Sequence, residues 1–140
     1  MKKLREMIMS HEGRVLHGYL DSRGFLTIGY GRMIDDRLKG GITQEEAEYL
    51  LDNDIKRCIK EADEYPWFEK LNEPRRAVII SMLFNMGGPR FQGFFKMRRA
   101  IEEEDFVEAA AQMMDSKWAT QVGHRARELA MMMETGKWLT

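Results

Sequence analysis

The 140-residue chain predicts an α+β fold, mainly α, in which a long helix joins a small sheet-containing lobe to a larger helical lobe. Three observations carry this prediction. Val15 to Tyr30 holds two β-rich runs around a turn at Gly24. Thr43-Gln44-Glu45-Glu46 is a capping box that follows the Gly40-Gly41 break. Behind it Ala47, Leu50, Leu51, Ile55, Cys58, Ile59 and Ala62 recur at helical spacing, and the remaining chain is patterned as further helices. The length is that of one domain, with the sheet lobe at about 13–42 and the helical lobe at about 63–140 together with the N-terminal helix.

In chain order, residues 2–11 carry Leu4, Met7 and Ile8 on one helical face. After the hairpin and the long helix, a further helix begins near Asn72 with Pro74 in its first turn. Ala77, Val78, Ile79, Ile80, Met82, Leu83 and Phe84 make it apolar on nearly all sides, the signature of a buried bundle centre. Gly87, Gly88 and Pro89 end it. Asp105-Phe106-Val107-Glu108 is another capped start, the cluster Glu102 to Asp105 reads as a solvated helix end, and Arg125 to Thr135 is a helix closed by Gly136. Twelve methionines, Met113-Met114 and Met131-Met132-Met133 among them, suggest a promiscuous surface at first sight. Filling a helical core accounts for most of them.

Composition bounds the chemistry. Hydrophobic residues at 44% and charged residues at 32% indicate a soluble globular protein. The single Cys58 excludes an internal disulfide and reads as a small buried apolar group. The basic start Met1-Lys2-Lys3-Leu4-Arg5-Glu6 is followed by too short an apolar run for a signal peptide or a membrane span. His11, His17 and His124 lack metal-ligand spacing, and no cofactor is implied. Arg75-Arg76, Arg98-Arg99 and Arg125-x-Arg127 raise nucleic-acid binding, but the net charge of −1 and the lack of a groove-reading motif argue against it.

The informative segment is residues 12 to 31. Glu12-Gly13 falls at the predicted end of the first helix, Asp21 opens the Asp21-Ser22-Arg23-Gly24 turn, and Thr27-Ile28-Gly29-Tyr30-Gly31 follows. Cleaving a glycosidic bond needs one carboxyl group to protonate the leaving oxygen and a second, ionised one across an oxocarbenium-like transition state. A carboxyl at the negative end of a helix dipole suits the proton donor. An aspartate that opens a turn can bond neighbouring backbone amides and stay ionised. Thr27 suits a strand, and its hydroxyl could hold a water opposite Glu12. Gly29 and Gly31 permit close approach of another backbone or a ligand.

With Arg75-Arg76-Ala77, Phe84-Asn85-Met86-Gly87, Ala109-Ala110, Ser116-Lys117-Trp118, Gln121, Arg125-Ala126 and Thr135-Gly136-x-Trp138, this string closely resembles the phage-type lysozymes, the endolysin family, over nearly the whole chain. The resemblance implies a lysozyme-like fold and a muramidase that cuts the β-1,4 bond between N-acetylmuramic acid and N-acetylglucosamine in bacterial peptidoglycan. Glu12 would be the general acid, and Asp21 and Thr27 would position the water, with inversion. Met33 and Phe84 match apolar positions that contact the glycan, Met97 and Gln112 match polar contact positions, and Gln121 and Arg125 match residues beside the glutamate. Arg125 would pair with Glu12 from the other lobe. The implied partner is peptidoglycan, with no nucleic acid, no membrane and a monomeric chain. Access to the wall would come through a separate membrane-permeabilising protein.

Three positions depart from the family pattern. Arg32 replaces a histidine and would pair with Asp54, while His11 and Glu128 replace an acid and a base, so that those charges swap ends. The net charge of −1 contrasts with basic family members and predicts weak electrostatic attraction to an anionic wall. A lytic transglycosylase or a non-catalytic glycan-binding module of the same fold are the rival readings.

Overall fold

A computed structural model describes residues 2–34 and 40–139. The chain divides into two compact units, Met1–Leu50 and Leu51–Thr140. The sequence pattern assigns the N-terminal helix to the helical lobe, whereas in the structure it falls in the compact unit that holds the sheet.

In the first unit, helix α1 (Lys2–Glu12) stops at Gly13, whose φ of 72° is a left-handed conformation open to glycine and whose N–H bonds the Met9 carbonyl at 3.0 Å. Strands β1 (Val15–Leu20), β2 (Leu26–Gly29) and β3 (Arg32–Met33) form an antiparallel sheet in the order β1-β2-β3. Tyr19 pairs with Thr27 and Thr27 with Met33, so Thr27 sits on the central strand. Helix α2 (Gln44–Ala62) starts on the predicted box: the Glu46 N–H donates to Thr43 Oγ1 at 3.1 Å and the Thr43 N–H to Glu46 Oε1 at 2.9 Å. The unit boundary falls within α2.

The second unit is all helical: α3 (Glu73–Met86), α4 (Gly88–Gln92), α5 (Phe95–Glu102), α6 (Phe106–Met114), α7 (Lys117–Val122) and α8 (His124–Thr135), with a short 3-10 turn at Phe68–Lys70. The fold class is therefore the predicted one. Asn72 caps α3 through Arg75 N–H and Asp105 caps α6 through Glu108 N–H, as their spacing required. Gly87 ends α3, but Gly88-Pro89, read as part of the same terminator, instead opens α4. No helix among the described residues is long and apolar enough to cross a membrane.

The core lies in this unit. Val78, Ile79 and Met82 of α3 are fully buried, and an aromatic chain runs from Trp67 through Tyr65, Phe91 and Phe94 to Trp118, whose indole N–H donates to Asn85. Cys58 is buried at its edge, and burial pushes its thiol up from the usual range. Six methionines join the core, namely Met82, Met86, Met97, Met113, Met132 and Met133. Among the eleven methionines of the described residues, that is about half rather than most. Phe91→Ala is expected to lower unfolding free energy by about 3–5 kcal/mol, the usual loss for emptying a fully buried phenyl site, with the denaturant midpoint as the measurement.

The arginine pairs serve the fold. Arg75 donates to the Met133 and Glu134 carbonyls, which cap the end of α8, and lies over the Phe106 ring. Arg76 donates to the Glu69 carbonyl, Arg98 donates to the Gln92 carbonyl and stacks on Phe95 and Tyr65, and Arg99 pairs with Glu103.

Candidate active site

The β1–β2 turn builds the site from the backbone outward. Asp21 N–H donates to the Phe25 carbonyl at 2.9 Å and Gly24 N–H to the Asp21 carbonyl at 2.9 Å. Gly24, at φ 84°, supplies the left-handed step such a three-residue hairpin loop needs. Asp21 Oδ1 then accepts both the Arg23 N–H at 2.8 Å and the Phe25 N–H at 2.9 Å. The Phe25 amide is the main cause that lowers the Asp21 pKa; desolvation opposes it, and the Arg23 amide and guanidinium reinforce it.

Phe25 is the hub of this arrangement. Its N–H holds the Asp21 carboxylate, and its carbonyl accepts both the Asp21 N–H and the Thr27 hydroxyl, the latter at 2.8 Å. Thr27 is the single buried polar residue among the described ones, 3% exposed. With its proton committed to Phe25, its oxygen presents only lone pairs to a further partner. The Arg23 and Phe25 amides both donate to Asp21 Oδ1, and Oδ2 is available as a further acceptor.

Glu12 meets the sheet at the other end of the hairpin. Gly31, in the β2–β3 turn at φ 72°, lies so close that a Cβ there would sit 2.6 Å from Glu12 Oε2 and 2.9 Å from its Cδ. The close approach expected at this glycine is therefore made by the proposed acid itself. Gly29, at φ 73°, has nothing within 4 Å of such a Cβ and only shapes the turn. Met33 is half-buried on β3, opposite Thr27.

Arg32 departs from the expected partner. Its Nη2 pairs with Glu46 Oε1 at 2.5 Å and its Nε donates to the Gly41 carbonyl, while Asp54 pairs with Arg57 one turn further along α2. Glu46 already faces Thr43 through the capping box, so it offers Arg32 a carboxylate fixed in place. The Thr43 amide, then the Arg32 side chain, hold the Glu46 pKa low.

The helical unit carries the other matched positions. Phe84 is exposed on α3. Met97 is drawn into the core at 1% exposure, so it forms the floor of a cavity of about 390 Å³ rather than offering a surface of its own. Gln112, half-buried, lines the same cavity and donates to Glu108 Oε1 at 2.7 Å. Gln121 is exposed and accepts from Arg90 Nη2 at 2.9 Å, and Arg125 is exposed on α8. Glu128 pairs with His124 of its own helix at 2.9 Å.

The phage lysozyme family model matches residues 9–132, a span that takes in the hairpin and most of the helical unit. The chain belongs to the phage lysozyme family. It is 27% identical to a probable T4-type lysozyme 1 of Dictyostelium discoideum, over 97% of this chain and 96% of that one. A second such protein from the same organism, probable T4-type lysozyme 2, is 25% identical over the same shares. The pre-baseplate central spike protein Gp5 of Enterobacteria phage T4 is 28% identical over 95% of this chain, which spans only 28% of the spike protein.

Within this family member, Phe25 and Glu46 are the residues that sequence reading passed over. Phe25 acts through its backbone, which leaves no side-chain signal, whereas Glu46 was visible as the last residue of the capping box.

The depressed Asp21 pKa gives a pH signature. A carboxylate held below its unfolded value, about 4, contributes stability that is present above that value and is lost as pH falls through the folded-state pKa. Asp21→Asn is therefore expected to melt below wild type at neutral pH, with the two melting temperatures converging as pH falls below about 4. A constant difference across that range, read by thermal denaturation at each pH, would contradict the assigned cause.

Proposed function

We propose that this chain is a muramidase that hydrolyses the β-1,4 bond between N-acetylmuramic acid and N-acetylglucosamine in bacterial peptidoglycan, with inversion. The observation that carries this reading is the Phe25 hub, which fixes an ionised carboxylate and an acceptor-only hydroxyl on one backbone residue. A water held by Asp21 Oδ2 and Thr27 Oγ1 donates both its protons to them. Its lone pair is then free to attack the anomeric carbon as Asp21 takes up one proton. Glu12 gives its proton to the departing glycosidic oxygen and so neutralises the negative charge developing there, while the attacking water quenches the positive charge on the anomeric carbon. Met33, Phe84, Gln112, Gln121 and Arg125 are the positions that would contact the glycan. Delivery to the wall would depend on a separate membrane-permeabilising protein.

The chemistry proposed calls for no cofactor. The test is digestion of purified sacculi. The expected result is falling turbidity with release of muropeptides bearing reducing muramic ends. Anhydro ends would indicate intramolecular attack by the sugar itself, and sedimentation with sacculi without release would indicate a binding module.

A further inference from the structure

Two charged side chains of the helical unit stand where their own helices disfavour them. Lys96 is the second residue of α5, near the positive end of that helix's dipole, and Asp115 is the C-cap of α6, near its negative end. Neither is in an ion pair among the described residues. Both line one cavity, the space of about 390 Å³ floored by Met97, a size within the roughly 300–1,000 Å³ of small-molecule sites.

The other polar groups on this wall are largely engaged already. The Ser116 hydroxyl donates to the Met113 carbonyl at 2.7 Å and accepts the Ala119 N–H at 3.1 Å. Arg90 gives Nη2 to Gln121, and Gln112 gives its amide N–H to Glu108, which leaves the Gln112 carbonyl oxygen as an acceptor. A neutral sugar in the cavity would cover the Lys96 and Asp115 charges and pair neither. A purely anionic ligand would be repelled by Asp115, and a purely cationic one by Lys96 and Arg90. A carboxylate and an ammonium on one carbon, at the end of an aliphatic chain, satisfy the whole wall. The carboxylate accepts from the Lys96 ammonium, and the ligand's ammonium donates to Asp115 and to the Gln112 carbonyl. The methylenes lie against Phe94 and Met97.

We propose that this cavity binds the free amino-acid end of a diaminopimelate residue in the stem peptide of peptidoglycan, with Lys96 and Asp115 as the residues that select it. The identity of the ligand rests on the peptidoglycan reading above. A stem with lysine at its third position offers the ammonium alone, whereas one with diaminopimelate offers both charges. The test is isothermal titration of the full chain with two glycan-free tetrapeptides, L-Ala-γ-D-Glu-meso-diaminopimelate-D-Ala and L-Ala-γ-D-Glu-L-Lys-D-Ala. They differ only in the carboxylate on the last side-chain carbon, and no bond cleavage is needed. The diaminopimelate peptide is expected to bind about tenfold more tightly, the scale of one charge-assisted contact. Lys96→Met is expected to erase that difference and Lys96→Arg to keep it, while Asp115→Asn weakens both peptides about tenfold, with circular dichroism of every variant as a check on folding. Equal binding of the two peptides by wild type, no saturable binding of either, a difference that survives in folded Lys96→Met, or a folded Asp115→Asn that binds as wild type does, overturns the proposal even where sacculi are digested. Selective binding that depends on both residues, without release of muropeptides, supports it and counts instead against the muramidase reading.

Discussion

Glu12→Gln is expected to reduce muropeptide release from sacculi by about 10²–10⁴-fold, the usual contribution of a positioned proton donor, while leaving the melting temperature within a degree or two of wild type. The stability half of this expectation follows from position. Glu12 is exposed at the last residue of α1, and glutamine keeps its length and shape. The activity half follows from chemistry, because an amide at that site cannot protonate a departing oxygen. Initial rates against matched unfolding curves separate the two, and a variant that is folded and fully active would remove Glu12 from the acid role.

Gly31→Ala tests the same residue from the opposite side. The new methyl would require the Glu12 carboxyl to move, since Cβ and Oε2 cannot sit 2.6 Å apart, and a misplacement of about 1 Å at a reacting group can lower rate by 10²-fold. The left-handed backbone at Gly31 adds about 1–2 kcal/mol of destabilisation for any residue with a Cβ. Gly29→Ala is the control. It has the same handedness at φ 73° and open space around its Cβ, so it is expected to lose similar stability while keeping its rate constant once compared at equal folded fraction. Equal rates for the two variants would show that the Glu12 contact with Gly31 has no bearing on catalysis.

The parts of the fold that sequence made legible are those set by local chemistry. Thr43, Asn72 and Asp105 each bond the amide three residues on, so their helix starts can be read from a few side chains. Helices α4 and α5 lack that signal. Gly87 and Phe94 precede them with no capping side chain, and only tertiary packing explains why helix resumes there. Short α7 did carry one, because Ser116 accepts the Ala119 N–H, but its six residues show too little periodicity to stand out.

The candidate site divides in the same way. Glu12, Asp21 and Thr27 lie in one contiguous string, so the residue types and their spacing were readable. What the string could not show is that Phe25 holds two of them through its peptide group and that Gly31 abuts the third. Arg32 illustrates the limit of reasoning from relatives. Its new guanidinium selects the nearby, already oriented Glu46, whereas Asp54 is taken by Arg57. Partner choice across a fold depends on which groups are preorganised near one another, and spacing alone does not encode it.

The central claim is that Asp21 and Thr27 present a water to the sugar while Glu12 supplies the proton. Digestion of sacculi in oxygen-18 water, with mass spectrometry of the released muropeptides, tests it most directly. One heavy oxygen at every newly formed muramic acid reducing end is the predicted result. Unlabelled anhydro ends, or heavy oxygen incorporated as readily by Asp21→Asn and Thr27→Val as by wild type, would contradict it.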